Sequence, residues 1–237
     1  MVIAIDGPAG AGKSTVARLL AERLQYAYVD SGAMYRAVAL LALRRRLALT
    51  DAPALEALAG QIAFRFVPSP QGNRLLIEGD DVTDAIRAPE VSEAASIVST
   101  VAGVRRALVA RQRELGRSGR LVMEGRDIGT KVFPHAQVKV FLDAAPQERS
   151  RRRLLQSEAE AGPGVGAETA TRQQRLQETM AALGERDRRD RKRADSPLVP
   201  APDAVYLDST SMTVEEVVRA ILRLVEERSA SRPAGDL

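Results

Sequence analysis

The chain has 237 residues, a formal net charge of +4, a 45% hydrophobic fraction and 3% aromatic residues, with no Trp. That is enough for one compact body with an appended subdomain, or two small domains, around an aliphatic core. Apolar runs such as residues 37–43 are too short to cross a bilayer and Cys is absent, which excludes a membrane span and a disulfide scaffold.

Residues 2–5 read as a short buried strand, followed by a Gly-rich turn and a helix striped by Val16, Leu19, Leu20 and Leu24. With no basic leader segment before that strand, a cytoplasmic location is expected. Residues 27–29 form a second strand, and DSGAMYR (30–36) after it reads as a cap and a first helical turn carrying an arginine. Between 62 and 82, strand-like text broken by turn signals predicts a small antiparallel insert, within a mobile region of about residues 32–95. Strands follow at 121–123 and 138–142.

From 145 to 195, two Arg-rich helices flank the soft linker 158–167, a pattern that suits a helical lid better than a core element. The last strand covers 204–207. The last helix is striped by Val217, Val218, Ile221, Leu222 and Val225, with a capping box from Thr213 and Glu216. Residues 229–237 are expected to be a disordered tail. Alternating strands and helices argue for an α/β fold. Its five-stranded parallel sheet, flanked by helices, would be built from 1–61, 83–144 and 196–228, with the insert at 62–82 and the lid at 145–195.

The turn after the first strand carries the first chemical signal. Gly7-x-x-x-x-Gly12-Lys13-Ser14 matches G-x-x-x-x-G-K-[ST] in full, between a strand and a helix, which marks a P-loop NTPase-type fold. Gly7, Pro8, Ala9, Gly10, Ala11, Gly12, Lys13, Ser14 and Thr15 would form a loop whose backbone N–H groups curl around phosphates without Cβ clashes. The helix that starts near Lys13 adds its positive dipole end. Lys13 would reach the transferred phosphate and Ser14 would bind Mg²⁺. ATP or GTP is implied, and the guanine-reading N-K-x-D is absent.

The acceptor must be read from what surrounds that loop. Ligands of open parallel sheets lie beyond the carboxyl ends of the strands. The loop, Arg36, and Arg126–Asp127 within EGRDIGT (124–130) therefore converge on one crevice, and two arginines beyond the donor loop imply a second phosphate. On the lid, Arg149, Arg152 and Arg153 share one helix face, as do Arg186, Asp190 and Arg193. The grouping of these arginines suits local phosphate chemistry, with an Arg-for-Lys compositional bias or a solvated charged face as the plainer readings. His135, the sole histidine, lies in a Pro-His loop and reads as a surface residue.

Taken together, the loop 7–15, DSGAMYRAVA (30–39), LIEGDDVTDAIRAPEVS (76–92), EGRDIGT with VFPHAQVKVFLDA, and ERDRRDRKRADSPL (185–198) resemble the bacterial cytidylate kinases over about residues 1–228. The resemblance implies transfer of a phosphoryl group from ATP to CMP or dCMP, with Mg²⁺, by a monomer. It also makes the insert the NMP-binding element. It implies that Arg36 and Arg126 hold the acceptor phosphate, and that Ser96, Arg105 and Asp127 surround the base. Tyr35, Arg186 and Asp190 would lie on the ribose side, with Ser31 and Arg193 lining the pocket. Arg149, Arg152 and Arg153 would be lid arginines facing the donor phosphates, and the catalytic set would be Lys13, Arg126, Arg149, Arg153 and Arg186. Glu124, an Asp in some relatives, would stand near Mg²⁺-bound water or Arg126.

Those roles agree with the chemistry of cytosine, whose N4 amino group donates and whose N3 and O2 accept. Asp127 would accept a hydrogen bond from the amino group and Arg105 would donate to the acceptors, whereas the carbonyl of uracil would face the carboxylate with no proton to share. The attacking phosphate oxygen is already anionic, so no general base is needed. A kinase for another monophosphate, such as UMP or dTMP, is the alternative in the same class. A P-loop ATPase that clamps nucleic acid is the alternative in another, but four Phe and four Tyr leave it few stacking platforms. Small-molecule partners, without nucleic acid or membrane, are expected.

Overall fold

A computed structural model describes residues 1–69, 73–161 and 171–230. The chain begins with β1 (Val2–Asp6), the phosphate-loop turn and α1 (Lys13–Leu24), then β2 (Ala27–Asp30) and α2 (Ser31–Arg44). Next come α3 (Ala52–Gln61) and the strands β3 (Phe64–Val67), β4 (Arg74–Ile77) and β5 (Asp80–Asp81). After α4 (Pro89–Val98) and α5 (Ala102–Leu115), the strands β6 (Leu121–Gly125) and β7 (Val138–Asp143) follow. The hairpin α6 (Pro146–Ala161) and α7 (Arg172–Arg191) precedes β8 (Val205–Asp208) and α8 (Val214–Ala230).

Five strands form one parallel sheet, in the order β2-β6-β1-β7-β8, as the alternating pattern predicts. Both faces of this sheet are covered. Ile3 and Ile5 of β1 pack with Val16 and Leu20 of α1 and Val218 and Ile221 of α8, while Ala4 joins Val29, Met123 and Ile128 in a cluster of its own. Each fully buried Ile or Leu contributes about 1.5–3 kcal/mol, so these layers rather than the loops hold the sheet in register. The expected capping box of α8 is present: Thr213 and Glu216 exchange side-chain and backbone hydrogen bonds.

The register sets up the site. Asp30 of β2 pairs with Glu124 of β6, and Asp6 of β1 pairs with Gly125, so three acidic residues finish neighbouring strands at one edge. The loop after β1 leaves from the middle of that edge.

The insert is a three-stranded antiparallel sheet, β3-β4-β5, packed against α2, α3 and α4 in a cluster with Leu55, Leu75, Ile77 and Ile86. Its β4–β5 turn uses Glu78 (φ 54) and Gly79 (φ 95), the two left-handed residues that a tight hairpin requires. Residues 158–161 of the expected linker continue α6, and the rest of it lies outside the described residues. Helix α7 opens with a Thr171/Gln174 capping box. Helix α8 runs through Ser229 to Ala230, and the rest of the expected tail also lies outside.

Candidate active site

The phosphate loop is shaped by glycines in conformations closed to other residues. Gly7 has φ +150, and a Cβ there would stand 2.0 Å from the Leu142 carbonyl oxygen of β7. Gly10 has φ +79, with the Arg149 carbonyl oxygen 2.8 Å from the place of its Cβ. Gly12 caps α1 without a side-chain hydrogen bond, which leaves the first N–H groups of the helix for an anion. The Lys13 ammonium is buried at 5% exposure and donates to the Pro8 carbonyl at 2.7 Å. Burial and the neighbouring Arg126 push it down to about 7. Asp6, just before the loop, is pushed up to about 7 by burial and accepts from the Ile128 and Gly129 amides at 2.8 and 2.7 Å.

Beside the loop stands a chain of oxygen ligands. The Tyr28 hydroxyl donates to the Glu124 carboxylate at 3.0 Å, and the Ser14 side chain lies close enough to favour the charged form of the same carboxylate. Burial, then the nearby Asp30, raises Glu124 above its ordinary value. Asn73 of the insert donates to the Tyr28 carbonyl. Among the described residues no group of three or more His, Cys, Asp or Glu gathers to hold a metal alone. One hydroxyl and one carboxylate fit Mg²⁺, which takes few protein ligands and completes its shell with water and phosphate oxygens.

Across the cleft the arginines come in acid-paired sets. Arg36 meets Asp30 at 2.6 Å, and Asp30 also caps α2 through the Ala33 amide. Arg126 meets Asp190 at 2.8 Å, and Arg193 holds the other oxygen of the same carboxylate. Burial opposes ionisation of Asp190, but Arg126 and Arg193 outweigh it and hold the group below its usual range. Arg105 and Asp127 form a deep pair at 2.5 Å, with side-chain exposures of 2% and 7%, and Arg105 lies over the Tyr35 ring. Ser31 donates to the Glu124 carbonyl at 2.7 Å.

Around the deep pair several buried polar atoms have no hydrogen-bond partner: Tyr35 Oη, Ser96 Oγ, Arg105 Nε and Arg193 Nε. Each such atom costs about 1–3 kcal/mol when left unmade, so a cluster of four marks a place shaped for a polar ligand.

Most of these groups line one cavity of about 350 Å³. Ala9, Gly10, Lys13, Ser14 and Thr15 of the loop line it, and so do Tyr35, Ser96, Arg105 and Asp127. Ser31, Arg36, Arg126, Arg153, Arg186, Asp190 and Arg193 border it as well. Gly7, Pro8, Ala11 and Gly12 shape the loop without lining the cavity. Arg186 makes no ion pair among the described residues, and burial, then Arg126, pushes it down to about 9.

Two expected lid arginines do not join this wall. Arg149 is buried behind the loop, bonded to the Ala9 and Ala144 carbonyls and to Asp187. Arg152 binds the Ala11 carbonyl and Ser209 at the end of β8. Of the arginine triplet read as one face, only Arg153 borders the cavity. His135 is exposed, as expected.

The structure adds cavity neighbours that sequence reasoning missed: Tyr28, Asn73, Thr83, Arg87 and Ser99. Tyr28 and Asn73 had no motif to flag them. Thr83 and Arg87 lie within the quoted GDDVTDAIR stretch, and that spacing could have found them.

Comparison with known proteins agrees with this geometry. The pattern of the cytidylate kinase family matches residues 3–227. A cytidylate kinase of Solibacter usitatus is 50% identical over 228 residues, covering 96% of this chain and 93% of its own length. One from Geobacillus thermodenitrificans is 48% identical over 226 residues, covering 95% and 96%. A crystal structure of an uncharacterized protein from Eubacterium ventriosum shares the overall fold at a TM-score of 0.50 and 13% identity, covering 96% of this chain and 98% of that one. A match that spans the loop, the insert and the lid alike leaves one conclusion: the chain belongs to the cytidylate kinase family.

Proposed function

We propose that the chain transfers the γ-phosphoryl group of ATP to CMP or dCMP, giving ADP and CDP or dCDP. One observation carries this reading. A triphosphate-type loop, a buried Arg–Asp pair with unpartnered polar neighbours, and a set of further arginines all line one cavity.

In this mechanism an acceptor phosphate oxygen forms a bond to the γ-phosphorus as the bond to the ADP oxygen breaks. No proton is abstracted, so the work is alignment and charge stabilisation. Loop N–H groups and Lys13 hold the donor phosphates. Arg36 and Arg126 hold the acceptor phosphate, and Arg153 and Arg186 meet the charge on the moving group. Asp127 accepts from the cytosine amino group while Arg105 donates to its ring acceptors, with Ser96 beside them. Asp190, Tyr35 and Arg193 order the ribose side, and Ser31 supports the floor. Ser14 and Glu124 would hold Mg²⁺, directly or through water, and the ion when bound screens the phosphate charges.

The reading extends to a monomer that acts on free nucleotides in the cytoplasm. No helix among the described residues is long and apolar enough to cross a membrane. Initial rates with CMP, dCMP, UMP, AMP and dTMP test the assignment. The cytidine pair should lead by orders of magnitude, because a mismatched base leaves buried polar groups unpaired. A preference for any other acceptor would overturn it.

A further inference from the structure

Arg149 and Asp187 sit at the roots of the two lid helices, one on α6 and the other on α7, and both are buried. Their pair closes around a single residue of the donor loop. Arg149 Nη1 donates to the Ala9 carbonyl at 3.0 Å and to Asp187 Oδ2 at 2.5 Å, while Asp187 Oδ1 accepts from the Ala9 amide at 3.4 Å. The Arg149 backbone lies against Gly10, and its Nε is spent on the Ala144 carbonyl at 3.1 Å. Two of the three guanidinium nitrogens, Nη1 and Nε, are thus engaged behind the loop.

Peptide planarity gives the arrangement its meaning. In a trans peptide the C=O and the following N–H point in opposite directions, and there is no cis peptide among the described residues. Holding the Ala9 carbonyl outward turns the Gly10 N–H inward, to the hollow that receives phosphate. One turn along α6, Arg152 does the same to the Ala11 carbonyl at 3.3 Å, which turns the Gly12 N–H inward.

We propose that the Arg149–Asp187 pair is a positioning device that sets the donor loop in its phosphate-receiving shape from behind. Arg149 then serves the reaction without facing the phosphates. The proposal rests on the reading that this loop holds the ATP phosphates, and not on which nucleotide accepts.

The test is equilibrium binding of MgATP, MgADP and, separately, CMP to the full chain, with a thermal melt of each variant. Asp187→Asn removes the charge but keeps the shape. Arg149→Lys keeps the charge but loses the planar fork that reaches two acceptors. The double variant Arg149→Met/Asp187→Leu replaces the pair by apolar groups, which often leaves a fold intact.

We expect each single variant to weaken ATP and ADP alike by about tenfold. CMP should stay within about twofold, and the double variant should lose no more than the worse single, since both changes remove one device. Folded single variants with unchanged donor affinity would overturn the proposal. So would a loss confined to ATP in Arg149→Lys with Asp187→Asn neutral, which would mean that Arg149 touches the γ-phosphate itself. If Arg149→Lys does not fold, Asp187→Asn alone decides.

Discussion

Replacing Asp127 by Asn tests base recognition where the structure makes it most exacting. The Asp127 carboxylate lies 2.5 Å from Arg105, and neither side chain reaches solvent appreciably. The substitution keeps the volume and an acceptor oxygen but removes the charge. A charge-assisted hydrogen bond of this kind contributes about 1.5–3 kcal/mol, so kcat/KM for CMP should fall roughly 10- to 150-fold. Breaking a buried ion pair also destabilises a fold, by about 3–5 kcal/mol when nothing replaces the lost charge. Here Asp195, 3.8 Å from Arg105 Nε, supplies part of the counter-charge and keeps the loss toward the lower figure.

The new amide can turn an N–H toward the base, which the uracil carbonyl can accept. The ratio of UMP to CMP use should therefore rise by more than CMP use falls. Initial rates with both acceptors at saturating ATP, ATP binding and a melting curve together read the outcome. A folded variant with wild-type CMP kinetics, or one that loses ATP and CMP equally, would refute the reasoning.

Gly7→Ala should be poorly tolerated, because the new methyl would meet a rigid strand carbonyl at 2.0 Å rather than a side chain that can move aside. We expect a loss of about 3 kcal/mol or more, read as a fall in Tm of about 6 °C or more; a melt within about 2 °C of wild type would contradict the described loop path. The protein should also take up protons when ATP binds. Lys13 and Asp6 both titrate at about 7. At pH 8 both are largely deprotonated, and an incoming polyanion favours their protonated forms, so calorimetry in buffers of different ionisation enthalpy should report uptake approaching about two protons, one for each group. At pH 6 both already carry their protons and uptake should nearly vanish. Proton release at pH 8 would count against the buried, low-pKa Lys13.

The parallel sheet was legible because each strand is a short apolar run bounded by turn residues, a pattern set by burial on both faces. The donor loop was legible because its glycine spacing answers to a steric demand, visible at Gly7 and Gly10. What spacing could not show was which way a long side chain turns. Arg149, Arg152 and Arg153 share one face by arithmetic, yet the nearest acceptors sort them: loop carbonyls take the first two, and only Arg153 borders the cavity. Partners far apart in sequence were equally hidden. Asp6 meets amides 122 and 123 residues away, and Asp187 meets an amide 178 residues away, so only the folded chain brings them together.

Four cations of the cleft, those assigned to the acceptor, already have an internal carboxylate: Asp30 for Arg36, Asp127 for Arg105, and Asp190 for Arg126 and Arg193. Nucleotide arrival at these positions is then an exchange of one anion for another, much as on a loaded resin, and not the filling of bare positive charge. Few mobile ions leave the protein in such an exchange. Affinity for the acceptor should consequently fall with added salt far less steeply than the number of arginines around it would suggest.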